Sequence, residues 1–272
     1  MSMLENRPRL TRPGLFVTGT DTGVGKTVVT CAIAWHLRRS EPVQPSAGSR
    51  GCRVGVLKPI ATGCRRDREG LVSEDAEALA HFADCREPLE VINPVRYRQP
   101  VAPAVASQMT SRPVDRQAVT HSLERLDANC DVLLVEGIGG LLVPLDSEDP
   151  RCTVIDLIVS VGFPVLVVGR SGLGTLNHTA MTVRLLEAAG CRIAGLVVNG
   201  FVADSSSHVD AKTDASVSTN RPWLEKMNQT SVLATIPACP ADQVQAQRGR
   251  LPQAILDAMG VTYWPGVVGK AR

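Results

Sequence analysis

Residues 15–27 read Leu-Phe-Val-Thr-Gly-Thr-Asp-Thr-Gly-Val-Gly-Lys-Thr: an apolar run, a glycine-rich loop, then Gly25-Lys26-Thr27. These residue types suit phosphate chemistry. Glycines let the backbone curl so that its N–H groups point at phosphate oxygens. Lys26 brings a positive charge to the outer phosphates, and Thr27 offers a hydroxyl to Mg²⁺. A helix starting here would add its positive end. The strict pattern places a glycine where Thr20 sits; here the leading glycine is Gly19, so the loop is a variant. The chain is expected to handle a nucleoside triphosphate.

Further candidates follow apolar runs. Lys58 precedes a proline that stiffens its turn, and a lysine there can hold anions or steady developing negative charge; a solvated lysine is the plain alternative. Glu136 ends a buried run and precedes Gly137-Ile138-Gly139-Gly140, where an acid has little structural purpose. With Thr27 it could ligate Mg²⁺, which prefers hard oxygen donors. Asp75 could be a third ligand, or an acid favoured by the first turn of a helix, and spacing leaves both open. Asn199 offers a donor and an acceptor suited to a base edge, or simply makes an Asn-Gly turn with Gly200. The turn at 172–177 enters a helix whose free N–H groups would suit a carboxylate, or is an ordinary helix entry. Arg65, Arg66 and Arg68 read as a solvated basic run.

The elements that must position these groups alternate. Strands are expected at 15–18, 53–57, 131–135, 164–168, 193–198 and 231–236, nearly all apolar inside, as for strands covered on both faces. Helices are expected at 26–38, 74–82, 114–126, 154–161, 177–189, 222–229 and 251–258. The pattern predicts an α/β fold: a single P-loop domain over 15–272, with a mostly parallel sheet and helices on both faces. In such sheets ligands sit beyond the carboxyl ends of the strands. All the candidates follow strands, including Pro237-Ala238-Cys239 after the last, so the loops should face one crevice. The segments 40–52 and 202–220, rich in Pro, Ser, Gly, Asp and Thr, read as mobile surface loops. Residues 1–14 read as a flexible lead-in.

Composition narrows the class. Of 272 residues 44% are hydrophobic and 21% charged, ordinary for a soluble domain, and aromatics at 3% imply an aliphatic core. A net charge of +2 gives no reason to expect nucleic acid or an acidic membrane as partner. No apolar stretch approaches the ~18 residues that span a bilayer. The N-terminal residues lack the apolar core of a secretory signal. Eight cysteines include no Cys-x-x-Cys pair, so neither a zinc site nor a redox dithiol is indicated, and they fit a reducing cytoplasm.

The string Val-Thr-Gly-Thr-Asp-Thr-Gly-Val-Gly-Lys-Thr, then Lys58-Pro59-Ile60-Ala61-Thr62-Gly63, then Glu136-Gly137-Ile138-Gly139-Gly140, resembles the dethiobiotin synthetases. Val198-Asn199 and Leu-Gly-x-x-Asn-His at 173–178 fit as well, so the likeness runs in order from about residue 15 to 240. The resemblance implies a cytoplasmic ligase of biotin synthesis acting on 7,8-diaminopelargonic acid, CO₂ and MgATP. A carbamate and a carbamic–phosphoric anhydride lie on the route to the cyclic urea. It implies that Lys58, Lys26 and Thr22 serve catalysis. Thr27, Asp75 and Glu136 hold Mg²⁺. Gly23, Val24, Gly25, Lys26, Thr27 and Val28 cradle the nucleotide. Gly137, Ile138, Gly139, Asn199, Gly200, Pro237, Ala238 and Cys239 surround it, with Asn199 reading adenine. Thr62 and Lys58 contact the substrate. Leu173, Gly174, Thr175, Leu176 and Asn177 receive its carboxylate from the neighbouring subunit of a homodimer. Departures exist: Gly23 stands where many members carry glutamate, and Val244 or its neighbours replace a glutamate seen in some. The rival reading is a partition-type P-loop switch ATPase, which carries a signature lysine where this chain has Asp21.

Overall fold

The structure is a computed structural model that describes residues 3–4, 7–41, 51–68, 70–201 and 216–272. Six strands form one fully parallel sheet: β1 (Gly14–Gly19), β2 (Val54–Leu57), β3 (Val132–Glu136), β4 (Val165–Arg170), β5 (Ile193–Phe201) and β6 (Val232–Pro237). Their order is β6-β5-β4-β1-β3-β2. Each expected strand is present, with ends shifted by at most three residues. After β1 the chain skips the place that β3 later fills, and β4 sets off on the opposite side of β1. The strand order therefore reverses beside β1, where such sheets open a crevice.

Side-chain alternation explains the layers. Phe16, Leu133, Val135, Val165 and Val167 face one core. Leu15, Val17, Val132, Leu134, Leu166 and Val168 face the other. The first core is covered by α3 (Pro103–Thr110), α4 (Arg116–Asn129), α5 (Val154–Val161), α6 (Thr175–Ala188) and α7 (Ser216–Asn228). The second is covered by α1 (Lys26–Leu37), α2 (Glu74–Ala83) and α8 (Gln253–Gly260). Local chemistry starts several helices: Ser73 accepts from the Ala76 N–H ahead of α2, Asp115 from the Ala118 N–H ahead of α4, and Thr153 with Asp156 forms a capping box at α5.

Four expectations change. α3 escaped the sequence because its buried stripe is made of Ala104, Ala106 and Ser107, which carry little hydrophobic contrast. α6 begins at Thr175 rather than 177, with Gly174 in the left-handed conformation just before it (φ 91°). α7 begins at Ser216, so the end of the presumed loop 202–220 is helical and Pro222 lies inside a helix it was expected to open. Asn220 holds that first turn by donating to the carbonyl of Ser171 (2.6 Å). The rest of that loop, and residues 42–50 of the other, lie outside the described residues; Cys52, at the end of the segment 40–52, is buried.

Part of the described lead-in is tied to the domain. Met3 and Leu4 are buried. The buried Asp127 carboxylate accepts hydrogen bonds from the Thr11 N–H and hydroxyl and from the Arg12 N–H, at 2.8–3.1 Å. Asp127→Ala is expected to lower the unfolding free energy by about 2 kcal/mol, since hydrogen bonds to charged groups contribute that order. Urea denaturation measures it, and a loss below about 0.5 kcal/mol would mean these bonds do not hold the strap.

Candidate active site

The loop leaving β1 makes its tight turn with Gly23 (φ 73°) and Gly25 (φ 97°), both in the left-handed region. Gly25 also has no room for a side chain: a Cβ there would lie 2.0 Å from Asn199 Nδ2. That amide donates to the Val24 carbonyl (2.9 Å), tying the end of β5 to the loop. Lys26 opens α1, is buried, and donates to the Asp21 carbonyl (2.8 Å). Burial first, and the neighbouring Lys58 charge second, lower its pKa to about 8.

Lys58 follows β2 directly. Its N–H donates to the Ile92 carbonyl (2.8 Å), and Asn93 Nδ2 donates back to its own carbonyl (2.6 Å), so its backbone is fixed from both sides. Its ammonium is buried and stands 2.7 Å from Asp75 Oδ2 and 2.6 Å from Glu136 Oε1. It also donates to the Gly137 carbonyl (3.2 Å). Burial alone would push the Lys58 pKa down; Asp75 and Glu136 outweigh it and raise it above the usual lysine value. The Lys58 charge in turn lowers the pKa of Asp75, against the opposing effect of burial. Glu136 is fully buried, and the Thr27 hydroxyl donates to its Oε1 (2.8 Å). Glu136 Oε2 has no partner among the described residues.

An orphaned, buried carboxylate oxygen is costly unless something else satisfies it. Thr27 and Glu136, hydrogen-bonded to each other, and Asp75, joined to Glu136 through Lys58, offer hard oxygen donors, a set that fits Mg²⁺, which takes a few protein oxygens and completes its shell with phosphate and water. No cluster of three or more His, Cys, Asp or Glu suited to a metal occurs among the described residues. The donor set is thus two carboxylates and a hydroxyl beside a phosphate loop.

Thr22, Gly23, Gly25, Lys26, Thr27, Val28, Lys58, Thr62, Asp75, Ile138 and Gly139 line one cavity of about 330 Å³, with Ala61. Glu136 lies beneath it, reached through Thr27 and Lys58. Val24 and Asn199 meet at its side. Gly200 and Pro237 lie in the last residues of β5 and β6, Ala238, Cys239 and the turn from Leu173 to Asn177 lie beyond strand ends, and none of them lines this cavity. Within that turn Leu173 and Asn177 are exposed, whereas Thr175 is buried with its hydroxyl 3.4 Å from that of Thr179. Two residues were missed. Asn93 carries no local sequence signal. Arg170 does, because it ends β4 on the ligand edge; it bonds Asp21 Oδ2 at 3.0 Å.

Residues 13–245 match the family model described as AAA domain. The ATP-dependent dethiobiotin synthetase BioD of Anaeromyxobacter sp. (strain K) is 39% identical over 224 residues, covering 82% of this chain and 89% of that protein. The BioD of Thermodesulfovibrio yellowstonii is 36% identical over 230 residues, 83% of this chain and 89% of its own length. That of Mycobacterium avium is 36% identical over 253 residues, 93% and 99%. Among solved structures, the Aquifex aeolicus cell division protein MinD is similar with a TM-score of 0.51 at 18% identity, over 91% of this chain and 95% of that one. A Borrelia burgdorferi chain named for plasmid partition, bound to AMPPNP, gives 0.54 at 11%, over 94% and 98%. At these identities the two structures speak for the fold alone.

A pKa of about 8 leaves Lys26 charged below pH 8 and increasingly neutral above it. Phosphate favours the charged form. The association constant for ATP, titrated without other substrates, is expected to be level below pH 8 and to fall by up to about tenfold per pH unit above it. A constant value through pH 9.5 would mean that Lys26 keeps its proton.

Proposed function

The chain belongs to the dethiobiotin synthetase family, and from that premise we propose how its residues divide the work of ATP-dependent dethiobiotin synthesis. The substrates of this reading are 7,8-diaminopelargonic acid, CO₂ and ATP. One amine of the diamino acid captures CO₂ as a carbamate. The carbamate oxygen attacks the γ-phosphorus of ATP, giving a carbamic–phosphoric anhydride and ADP. The second amine attacks the carbamoyl carbon, closes the ureido ring and expels phosphate.

The observation that carries the assignment is the seating of Lys58 between Asp75 and Glu136, in one cavity with Lys26, Thr22 and Thr62. Phosphoryl transfer needs positioning and charge neutralisation more than covalent help from the protein. Lys26 and the loop N–H groups hold the β- and γ-phosphates, and Thr22 contacts the same region. Lys58, kept protonated by its two carboxylates, steadies charge on the carbamate and the transferring phosphoryl group. Thr62, four residues on, holds the substrate. Mg²⁺, bound through Thr27, Asp75 and Glu136, would neutralise charge across the phosphates. Gly23, Val24, Gly25, Val28, Gly137, Ile138 and Gly139 shape the nucleotide site. Asn199, Gly200, Pro237, Ala238 and Cys239 border its base; Asn199 keeps a carbonyl oxygen and one further N–H for adenine while its amide holds Val24. Leu173, Gly174, Thr175, Leu176 and Asn177 belong to the substrate carboxylate across a homodimer interface. Exposed Leu173, Met181 and Leu185 on this turn and α6 support such a contact. A cytoplasmic setting completes the reading, with no helix among the described residues long and apolar enough to cross a membrane. The partition-switch alternative has only the fold in its favour; the position of its lysine is occupied by Asp21, which pairs with Arg170.

Lys58→Ala is expected to lower kcat by at least about 10²-fold, the scale of losing one positioned charge at a reacting centre, while the affinity for ATP in excess Mg²⁺ changes little. Substrate-dependent ADP release and formation of the cyclic urea report the turnover, and a variant near wild-type rate removes Lys58 from the chemistry. Glu136→Gln is expected to raise the Mg²⁺ concentration needed for half-maximal rate; an unchanged Mg²⁺ titration excludes Glu136 from the metal shell.

A further inference from the structure

The basic run at 65–68 does not end in solvent alone. Arg66, Arg96, Arg98 and Arg112 line a cavity of about 360 Å³ with Tyr97, Gln99 and Thr110, and none of its described lining residues is acidic. Arg96 and Arg98 flank the buried Tyr97, so backbone alternation turns both outward on one face. Two of the four guanidiniums are fixed. Arg96 Nη1 donates to the Leu71 carbonyl (2.8 Å) and lies 3.5 Å from Glu90. Arg112 donates to the Arg96 carbonyl and sits over the Tyr97 ring at 5.4 Å. Arg66 and Arg98 have no hydrogen bond or ion pair among the described residues. At the floor, Gln99 Oε1 is buried without a donor.

Gathering four positive charges around one hollow costs folding energy through their mutual repulsion, and among the described residues the ion pair that offsets it is the 3.5 Å contact of Arg96 with Glu90. Nothing in the packing requires the two unpartnered arginines to be there. Guanidinium forks match phosphate oxygens in pairs, and the orphaned Gln99 carbonyl asks for an O–H or N–H donor. We propose that this cavity is a second anion site, separate from the phosphate loop, that takes a small phosphate ester bearing a free hydroxyl.

The site is wired to the reaction centre. The Gly63 N–H donates to the Gln99 carbonyl (3.1 Å) and the Cys64 N–H to the Tyr97 carbonyl (3.0 Å), while Thr62, next in the chain, lines the phosphate-loop cavity. An occupant that orders Gln99 and Tyr97 would fix the Thr62 turn and lower the KM for the diamino acid. That coupling, unlike the site itself, rests on the substrate role proposed for Thr62.

The test is calorimetric titration of glycerol 3-phosphate into the full chain saturated with AMPPNP and Mg²⁺, so that the phosphate loop is already filled. One saturable site per chain is expected. Arg66→Ala with Arg98→Ala should weaken it by at least about tenfold without lowering the melting temperature, because removing two like charges relieves repulsion and neither side chain has a partner to lose among the described residues. Arg65→Ala, whose side chain faces Asp67 and Glu77 instead, should leave the affinity unchanged. The proposal is overturned by the absence of saturable heat, by equal affinity in the double variant, or by displacement of glycerol 3-phosphate by the diamino acid. None of these results depends on whether the cyclic urea forms.

Discussion

Lys58 and Glu136 are a buried ion pair whose existence is decided by sheet register. β2 and β3 run parallel with Leu57 opposite Val135. Lys58 and Glu136 are each the next residue, so they leave the sheet side by side. A fully buried carboxylate is tolerated only when paired and hydrogen-bonded. Here the pair is completed by Asp75 from the first turn of α2 and by the Thr27 hydroxyl from α1. Four chain segments therefore converge on one charge. A slip of one residue between β2 and β3 would turn these side chains to the opposite face and leave each charge buried alone. The same carboxylates cannot fully serve an ammonium and a divalent cation together, so the group that holds Lys58 in place also governs how far it can reach.

The other half of the site is braced from the opposite side of β1. Asn199 at the end of β5 and Arg170 at the end of β4 both reach the phosphate loop, one through the Val24 carbonyl and the other through the Asp21 carboxylate. The loop is therefore held at its flexible glycine turn and just ahead of it. Gly25 answers to two constraints at once, a left-handed backbone and the 2.0 Å approach of Asn199. Preorganisation of this kind lets backbone N–H groups meet phosphate without reordering at the moment of reaction.

Much of this was legible in the sequence because buried parallel strands write themselves as short apolar runs, and each chemical group follows one. The phosphate loop was marked by its glycine-rich pattern ending in Gly25-Lys26-Thr27, and Lys58 and Glu136 were singled out by their places after such runs. Asp75 was not decided by it, since an acid in the first turn of a helix is favoured by the helix dipole whatever it touches; its 2.7 Å contact to Lys58 could not be read from the sequence. Pro222 misled because proline commonly opens helices, whereas the Asn220 bond to Ser171 starts this one six residues earlier. Asn93, Arg96 and Arg112 were hidden for a different reason. Their partners are tens of residues away in sequence, and nothing local marks a side chain that acts on a distant backbone carbonyl.

Fold likeness and chemistry part at residue 21. The architecture is shared with proteins named for cell division and plasmid partition at 18% and 11% identity. In this chain an acid, Asp21, stands in the phosphate loop. An unpaired carboxylate beside a triphosphate would oppose binding by like-charge repulsion. Arg170 pairs with it within the same chain, at 3.0 Å, and the Thr22 N–H donates to the same carboxylate, so Asp21, although exposed, is engaged by its own chain. The positive charge that the loop lacks at position 21 is supplied at position 58, on the β2 side of the cavity. Lys58 shares that cavity with Lys26 and Thr62, so two cations from different strand ends face one space.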